Sequence, residues 1–180
     1  MVSFLLLGCY AMNAQDITRF GAKAGLNLST LGGDALYSFD PKAGFHLGGV
    51  LEIPFSDNII IQPEALISLQ GSGGFFQDDL NFWYLNIPVM AKYNVFDELY
   101  IEAGPYLGLM LSNNLDGNTF VGGQTFDQTN GLDLGFGIGA GYRLDENFYF
   151  QARYSGGFIN AIEDLKTKNR VFALSVVYFL

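Results

Sequence analysis

Residues 132–143 read Leu132-Asp-Leu-Gly-Phe-Gly-Ile-Gly-Ala-Gly-Tyr-Arg143, and the way they alternate decides the fold. Leu132, Leu134, Phe136, Ile138, Ala140 and Tyr142 occupy every second position, with Asp133, four glycines and Arg143 between them. Successive side chains of a strand point to opposite faces, so one face of this segment is apolar and the other is small or charged. The run Gly135-Phe-Gly137-Ile-Gly139-Ala140 formally matches a dinucleotide-binding fingerprint. That motif needs a helix after the glycine turn, whereas here the alternation continues straight into Tyr142.

The same period-2 pattern recurs at 19–30, 42–53, 59–70, 83–93, 99–111, 148–155 and 170–180, which makes eight strands. These stretches run from 8 to 13 residues, close to the 9–11 residues of a tilted membrane strand. The connections alternate in length. Pro54–Asn58, Val95–Glu98 and Leu144–Asn147 are short, while Thr30–Pro41, Gly71–Phe82, Ser112–Gly131 and Gly156–Asn169 are long and rich in Gly, Asn and Asp. An even strand count with short turns at one end and long loops at the other predicts an all-β, eight-stranded antiparallel up-and-down transmembrane barrel. The short turns and both termini are then periplasmic, and the four long loops extracellular. Phe20, Tyr93, Tyr142, Phe148 and Tyr178 fall near the short-turn ends, and Phe45, Phe82, Trp83, Tyr154 and Phe172 near the loop ends. Two such bands are expected at the two interfaces of a bilayer.

Composition agrees. Of 180 residues, 49% are hydrophobic, 16% aromatic and only 15% charged, which excludes a disordered chain. Nine Lys and Arg against 18 Asp and Glu leave a net charge of −9, which argues against nucleic acid as a partner. No segment reaches 18 consecutive apolar residues, so a helical membrane span is excluded.

A soluble barrel of the same strand count would turn its apolar face inward and carry an apolar ligand. The polar faces carry too many glycines and too few charges to cover a soluble surface. Turned inward, they predict a lumen ion network in which Arg19, Lys23, Lys92, Arg143 and Arg153 face Glu52, Glu64, Glu102 and Asp133. The glycines of 135–141 leave room for large inward side chains of neighbouring strands. Eight strands enclose a lumen that side chains just fill, so a plugged barrel is expected.

The amino-terminal Met1-Val-Ser-Phe-Leu-Leu-Leu-Gly-Cys-Tyr-Ala-Met-Asn-Ala14 is apolar but too short to span a bilayer as a helix. It reads as a signal peptide cut after Ala14, leaving a barrel domain over 15–180. Leu6-Leu7-Gly8-Cys9 offers the alternative of a lipobox with an acylated Cys9. With cleavage at Ala14 the mature chain has no cysteine and no disulfide.

Gly21-Ala-Lys-Ala-Gly-Leu-Asn27, Tyr84-Leu-Asn-Ile-Pro88, Gly104-Pro-Tyr106 and Gly137-Ile-Gly-Ala-Gly-Tyr-Arg143 resemble the PorT-like outer-membrane β-barrel family of Bacteroidetes, over about residues 17–180. The resemblance implies a barrel in the cell outer membrane. The family's named member is implicated in protein secretion and gliding, and a link to secretion is implied by that member alone. Such barrels usually end on an aromatic read by the barrel-insertion machinery, and here Leu180 follows Phe179.

Catalytic chemistry finds little footing. His46 is the only histidine, at an inward position near a loop end, and is read as a lumen hydrogen-bonding residue. Outer-membrane barrels that trim lipid A use a His with a Ser, and alternation assigns His46 no serine partner. One His and no mature Cys predict no metal site and no cofactor. Glu64 and Glu102 share their face with cations and are read as ion-paired, not as a glycosidase acid pair. Asp34, Asp40, Asp78, Asp79, Asp116, Asp127, Glu163 and Asp164 crowd the long loops, with Lys166, Lys168 and Arg170 only in the last. The expected partners are outer-membrane lipid and lipopolysaccharide, the insertion machinery, and a protein at the extracellular loops. The expected function is a non-enzymatic structural or interaction role, with a lipid-modifying enzyme or a small channel as the alternatives.

Overall fold

The computed structural model describes residues 18–32, 40–75, 78–113, 120–121, 124–125, 131–162 and 167–180. The strands are β1 (Arg19–Gly32), β2 (Asp40–Ser56), β3 (Ile59–Phe75), β4 (Asp78–Phe96), β5 (Leu99–Asn113), β6 (Phe120–Val121), β7 (Gln124–Thr125), β8 (Leu132–Arg143), β9 (Phe148–Ile162) and β10 (Thr167–Phe179). Eight of them close a barrel in the order β1-β10-β9-β8-β5-β4-β3-β2, and β6 and β7 form a separate two-stranded ladder. Every neighbouring pair is antiparallel, and the barrel closes where Gly21 to Gly32 of β1 pair with Phe179 to Lys168 of β10. Closure matters because hydrocarbon offers no hydrogen-bond partner to an open sheet edge.

The faces are inverted relative to a soluble barrel. Along β8, Leu132, Leu134, Phe136, Ile138, Ala140 and Tyr142 are exposed, while Asp133, Gly135, Gly137 and Gly141 are buried. Elsewhere Leu26 is 70% exposed while Lys23, four strand positions from the turn end of β1, is 1% exposed. An apolar exterior around a charged interior is the arrangement of a barrel solvated by lipid, and it removes the soluble-carrier alternative.

Three expectations are corrected. First, the strands are longer than the alternating stretches. The connection expected over Gly71–Phe82 is mostly ladder, with Gly71 opposite Asn81, Ser72 opposite Leu80 and Phe75 opposite Asp78. The apolar–polar alternation fades there while the backbone pairing continues, so period 2 stops marking the strand. Second, Phe82 does not belong to the outer aromatic band. It has the parity of Tyr84 and Lys92, lies 2% exposed inside the barrel, and its ring centroid is 6.4 Å from that of Tyr84. Trp83 takes the wall position and meets Phe45 edge-on at 5.8 Å. Third, two of the short turns shrink to the pairs Asp57–Asn58 and Asp97–Glu98.

The third turn is built by one carboxylate. Asp145 Oδ1 accepts from the backbone N–H groups of Asn147 and Phe148, at 2.8 and 2.7 Å. Asn147 in turn donates its side-chain amide to Phe179 O and accepts from Phe179 N. The signal peptide over 1–14, the lipobox Cys9 and the side chains of Asp34, Asp40, Asp78, Asp79, Asp116, Asp127, Glu163, Asp164 and Lys166 lie outside the described residues.

Ile138 stands midway along the wall face of β8, so Ile138→Arg puts a charge into hydrocarbon. It should lower stability by about 2–4 kcal/mol, read as a shift in urea-dependent refolding into phosphatidylcholine vesicles. The unsubstituted barrel should migrate as a compact band in SDS that is lost on boiling.

Candidate functional site

Among the described residues the lumen is where this chain concentrates chemistry, and it is organised in tiers from the short-turn end. In the lowest tier Glu52 is the hub. Its carboxylate accepts from Lys92 Nζ at 2.8 Å and from Arg143 Nη2 at 2.9 and 3.0 Å, with Arg19 Nη1 at 4.0 Å. Aromatic rings close the floor around these cations. Lys92 Nζ lies 3.6 Å from the centre of the Tyr149 ring, and Arg143 is 5.4 Å from Tyr100 and 5.4 Å from Phe179. Val50, Tyr149, Val177 and Phe179 form a buried apolar cluster at this end of the lumen.

The second tier is centred on Glu64. Arg153 grips it with two N–H groups at 2.7 and 3.1 Å, and Lys23 adds a third contact at 2.9 Å. The Nε of Arg153 also donates to Glu102 at 2.7 Å, and Gln151 bridges the tier by donating to Glu102 and accepting from Lys23. Gln62 Nε2 donates to Glu64 Oε1 at 2.6 Å. Buried charges of this kind persist only when paired and hydrogen-bonded together.

Glycines set the reach of these side chains. Gly139 lies between Glu102 and Arg153 in register, and a Cβ there would fall 2.6 Å from Ala152 O and 2.9 Å from Glu102 Oε1. Gly141 faces the hydroxyl end of Tyr149 so closely that any side chain would collide with it. Gly135 is crossed in the same way by the Tyr106 ring, so three of the four glycines of β8 are windows through which neighbours' side chains cross.

Eight of the nine residues expected in an ion network share these two tiers: Arg19, Lys23, Glu52, Glu64, Lys92, Glu102, Arg143 and Arg153. Asp133 is the correction. It is buried in the lumen, yet its hydrogen bonds come from Tyr106 OH at 3.0 Å and Asn169 Nδ2 at 3.4 Å, and no ion pair reaches it among the described residues. Alternation gives the face of a residue but not its height, and Asp133 stands at the far end of β8 from Arg143.

The third tier was not anticipated. Asn27, His46, Ser68, Gln70, Asn169 and Ser175 are neutral, buried and linked. His46 contacts Asn27 Oδ1 at 2.6 Å and Ser175 Oγ at 2.8 Å, Asn27 and Gln70 donate to Ser68, and Asn169 donates to Gln70. Each has inward parity on its strand, but their meeting depends on the stagger between strands, which sequence does not display. A small cavity of about 60 Å³ lies among Asn27, His46, Ser68, Tyr106, Arg153 and Ser175. At roughly 10–15 Å³ for each water centre, it is large enough for several waters. No group of three His, Cys, Asp or Glu that could hold a metal ion occurs among the described residues.

Comparison with known proteins agrees with this geometry. The family model described as outer membrane protein beta-barrel domain matches residues 13–163. Among solved structures, the chain is similar to Ail, the attachment invasion locus protein of Yersinia pestis, with a TM-score of 0.59 at 16% identity, over 92% of this chain and 100% of that one. It is likewise similar to Neisserial surface protein A, with a TM-score of 0.58 at 11% identity, over 91% and 99% of the two chains. At these identities the likeness concerns the fold alone. No curated protein matches the sequence.

Glu64→Gln would leave Lys23 and Arg153 buried without their shared counter-charge. We expect a loss of about 3–5 kcal/mol in urea unfolding, against less than about 1 kcal/mol for Asp57→Asn in an exposed turn.

Proposed function

Because this chain belongs to the outer membrane protein beta-barrel domain family and so resides in the outer membrane, we propose that it acts there as a non-enzymatic, non-conducting structural and interaction protein. The closed lumen carries this reading. A solute crossing the barrel would have to part Glu64 from Lys23 and Arg153, and then Glu52 from Lys92 and Arg143. Each separation leaves a buried charge without its partner.

What the barrel offers to its surroundings is then its lipid-facing wall and its long connections. The sequence of those connections and of the strand ends beside them holds Asp34, Asp40, Asp78, Asp79, Asp116, Asp127, Glu163 and Asp164. Acids at that density suit divalent cations that bridge lipopolysaccharide phosphates, and a basic face on a protein partner. The PorT-like resemblance adds protein secretion in Bacteroidetes as the setting for such a partner, and assembly by the barrel-insertion machinery is part of the same reading. A lipid-modifying enzyme fits less well, because His46 is 4% exposed and faces the lumen, away from acyl chains on the outer wall.

In planar bilayers the purified barrel should give no discrete conductance steps; reproducible steps would favour the small-channel reading. Replacing Asp78, Asp79, Asp116 and Asp127 by Asn should leave the heat-modifiable band intact and reduce Mg²⁺-dependent retention of lipopolysaccharide. Unchanged retention would move the interaction to a protein partner.

A further inference from the structure

At the height of the neutral tier three residues stand in a line. His46 of β2, Gly25 of β1 and Ser175 of β10 occupy one cross-strand row, with Gly25 directly opposite both others. Having no side chain, Gly25 lets the imidazole reach over β1, and a Cβ there would collide with the His46 ring and the Leu174 carbonyl. The result is the 2.8 Å contact between His46 Nε2 and Ser175 Oγ, with Asn27 Oδ1 2.6 Å from Nδ1 on the other side of the ring.

The network also fixes where the protons are. Asn27 Nδ2 faces the Leu69 carbonyl at 3.3 Å and Ser68 Oγ at 2.8 Å, and a carbonyl can only accept. The amide oxygen of Asn27 therefore faces His46, Nδ1 carries the ring proton and donates it, and Nε2 presents its lone pair to the Ser175 hydroxyl. A hydroxyl held against the basic nitrogen of an imidazole, itself oriented by a third group, is the arrangement that activates a serine. All three residues line the cavity described above, which Lys23 and Arg153 also line from the charged tier. Both cations are already paired with Glu64 and Glu102, so the activation rests on the imidazole and not on a net positive field.

We propose that Ser175 is a covalent modification site, a nucleophile activated by His46 that accepts one small acyl or sulfonyl group from an electrophile entering the lumen. Ser175 Oγ bonds to the carbonyl carbon or the sulfur while its proton passes to His46 Nε2. The bond to the leaving group breaks and that group departs with the electron pair; an alkoxide takes the proton back from Nε2, and where fluoride leaves the proton is released from Nε2 to water. The reaction stops there. Backbone N–H groups around Ser175 are committed to the ladders with β1 and β9, so no pair of them forms an oxyanion site to drive deacylation. A stoichiometric acceptor is compatible with the scaffold reading and does not rest on it.

Methanesulfonyl fluoride is small enough to test this on the full chain refolded into detergent micelles, with intact-mass and peptide-level readout. The folded barrel should gain one methanesulfonyl group, located at Ser175, and Ser175→Ala should gain none. His46→Gln should slow the reaction about 100-fold or more, the least that a positioned base contributes. Gly25→Ala should slow it as well by displacing the imidazole, whereas Ser155→Ala, at the same cavity, should not. Heat-modifiable migration shows which variants are folded. Should His46→Gln fail to fold, the unsubstituted chain in urea serves as the reference, and it should react at least about 100-fold more slowly than the folded barrel. The proposal is overturned if Ser175 of the folded barrel stays unmodified, if folded His46→Gln reacts at the wild-type rate, or if the chain in urea reacts as fast as the barrel. Any of these would leave the tier a hydrogen-bonded filling of the lumen.

Discussion

A carboxylate in the interior of an eight-stranded barrel has no bulk water to retreat to, and most of this structure can be read as the answer to that constraint. Glu52 and Glu64 are each surrounded by two or more cations, and around Glu64 the cations Lys23 and Arg153 each bind a second acceptor as well. Such clusters are held less by the strength of any single pair than by the penalty of leaving one member alone. The pairs also tie together strands that are not neighbours. Glu64 of β3 is bound to Lys23 of β1 and to Arg153 of β9, so the ionic tiers brace the barrel across its lumen as the ladders brace it around its circumference.

That bracing requires space, which the chain provides by omitting side chains. Charged and aromatic groups that span the lumen need openings in the layer they cross, and Gly25, Gly139 and Gly141 are such openings. Glycine in a strand normally weakens it through entropy and lost packing. Inside a narrow barrel the deficit is offset because the vacated volume is filled by a longer residue from the next strand. The alternation of glycine with large apolar residues in β8 thus has two separate causes, lipid on one side and crowding on the other.

How much of this was legible in the sequence depends on which coordinate is asked for. Parity along a strand is visible directly, so the wall and lumen faces of Leu134, Ile138, Glu64 and Lys92 could be read from spacing alone. Height and stagger are not visible, because they are set by the register between strands. Parity therefore groups Asp133 with cations that sit in other tiers, and it does not show that His46 meets Ser175 and Asn27, although all three have inward parity. Strand ends were misjudged for a related reason. At Gly71–Phe75 and Asp78–Phe82 the apolar–polar contrast fades while the ladder continues, and composition resembles a loop. Phe82 shows the limit of arguing from residue type, since an aromatic near a loop end was assigned to the interface although its parity already placed it inside.

The seam between β1 and β10 has a consequence for the order of the strands along the chain. Leu180 N donates to Phe20 O at 2.9 Å, so the first and last described segments meet at the short-turn end, beside the short turns that join the other hairpins. In three dimensions the barrel is a ring of antiparallel neighbours in which the seam differs from a hairpin only by an absent peptide connection. A circular permutant that joins the seam with a short linker and opens at Asp97–Glu98 would preserve every ladder and both ionic tiers, while changing which hairpin emerges first for assembly.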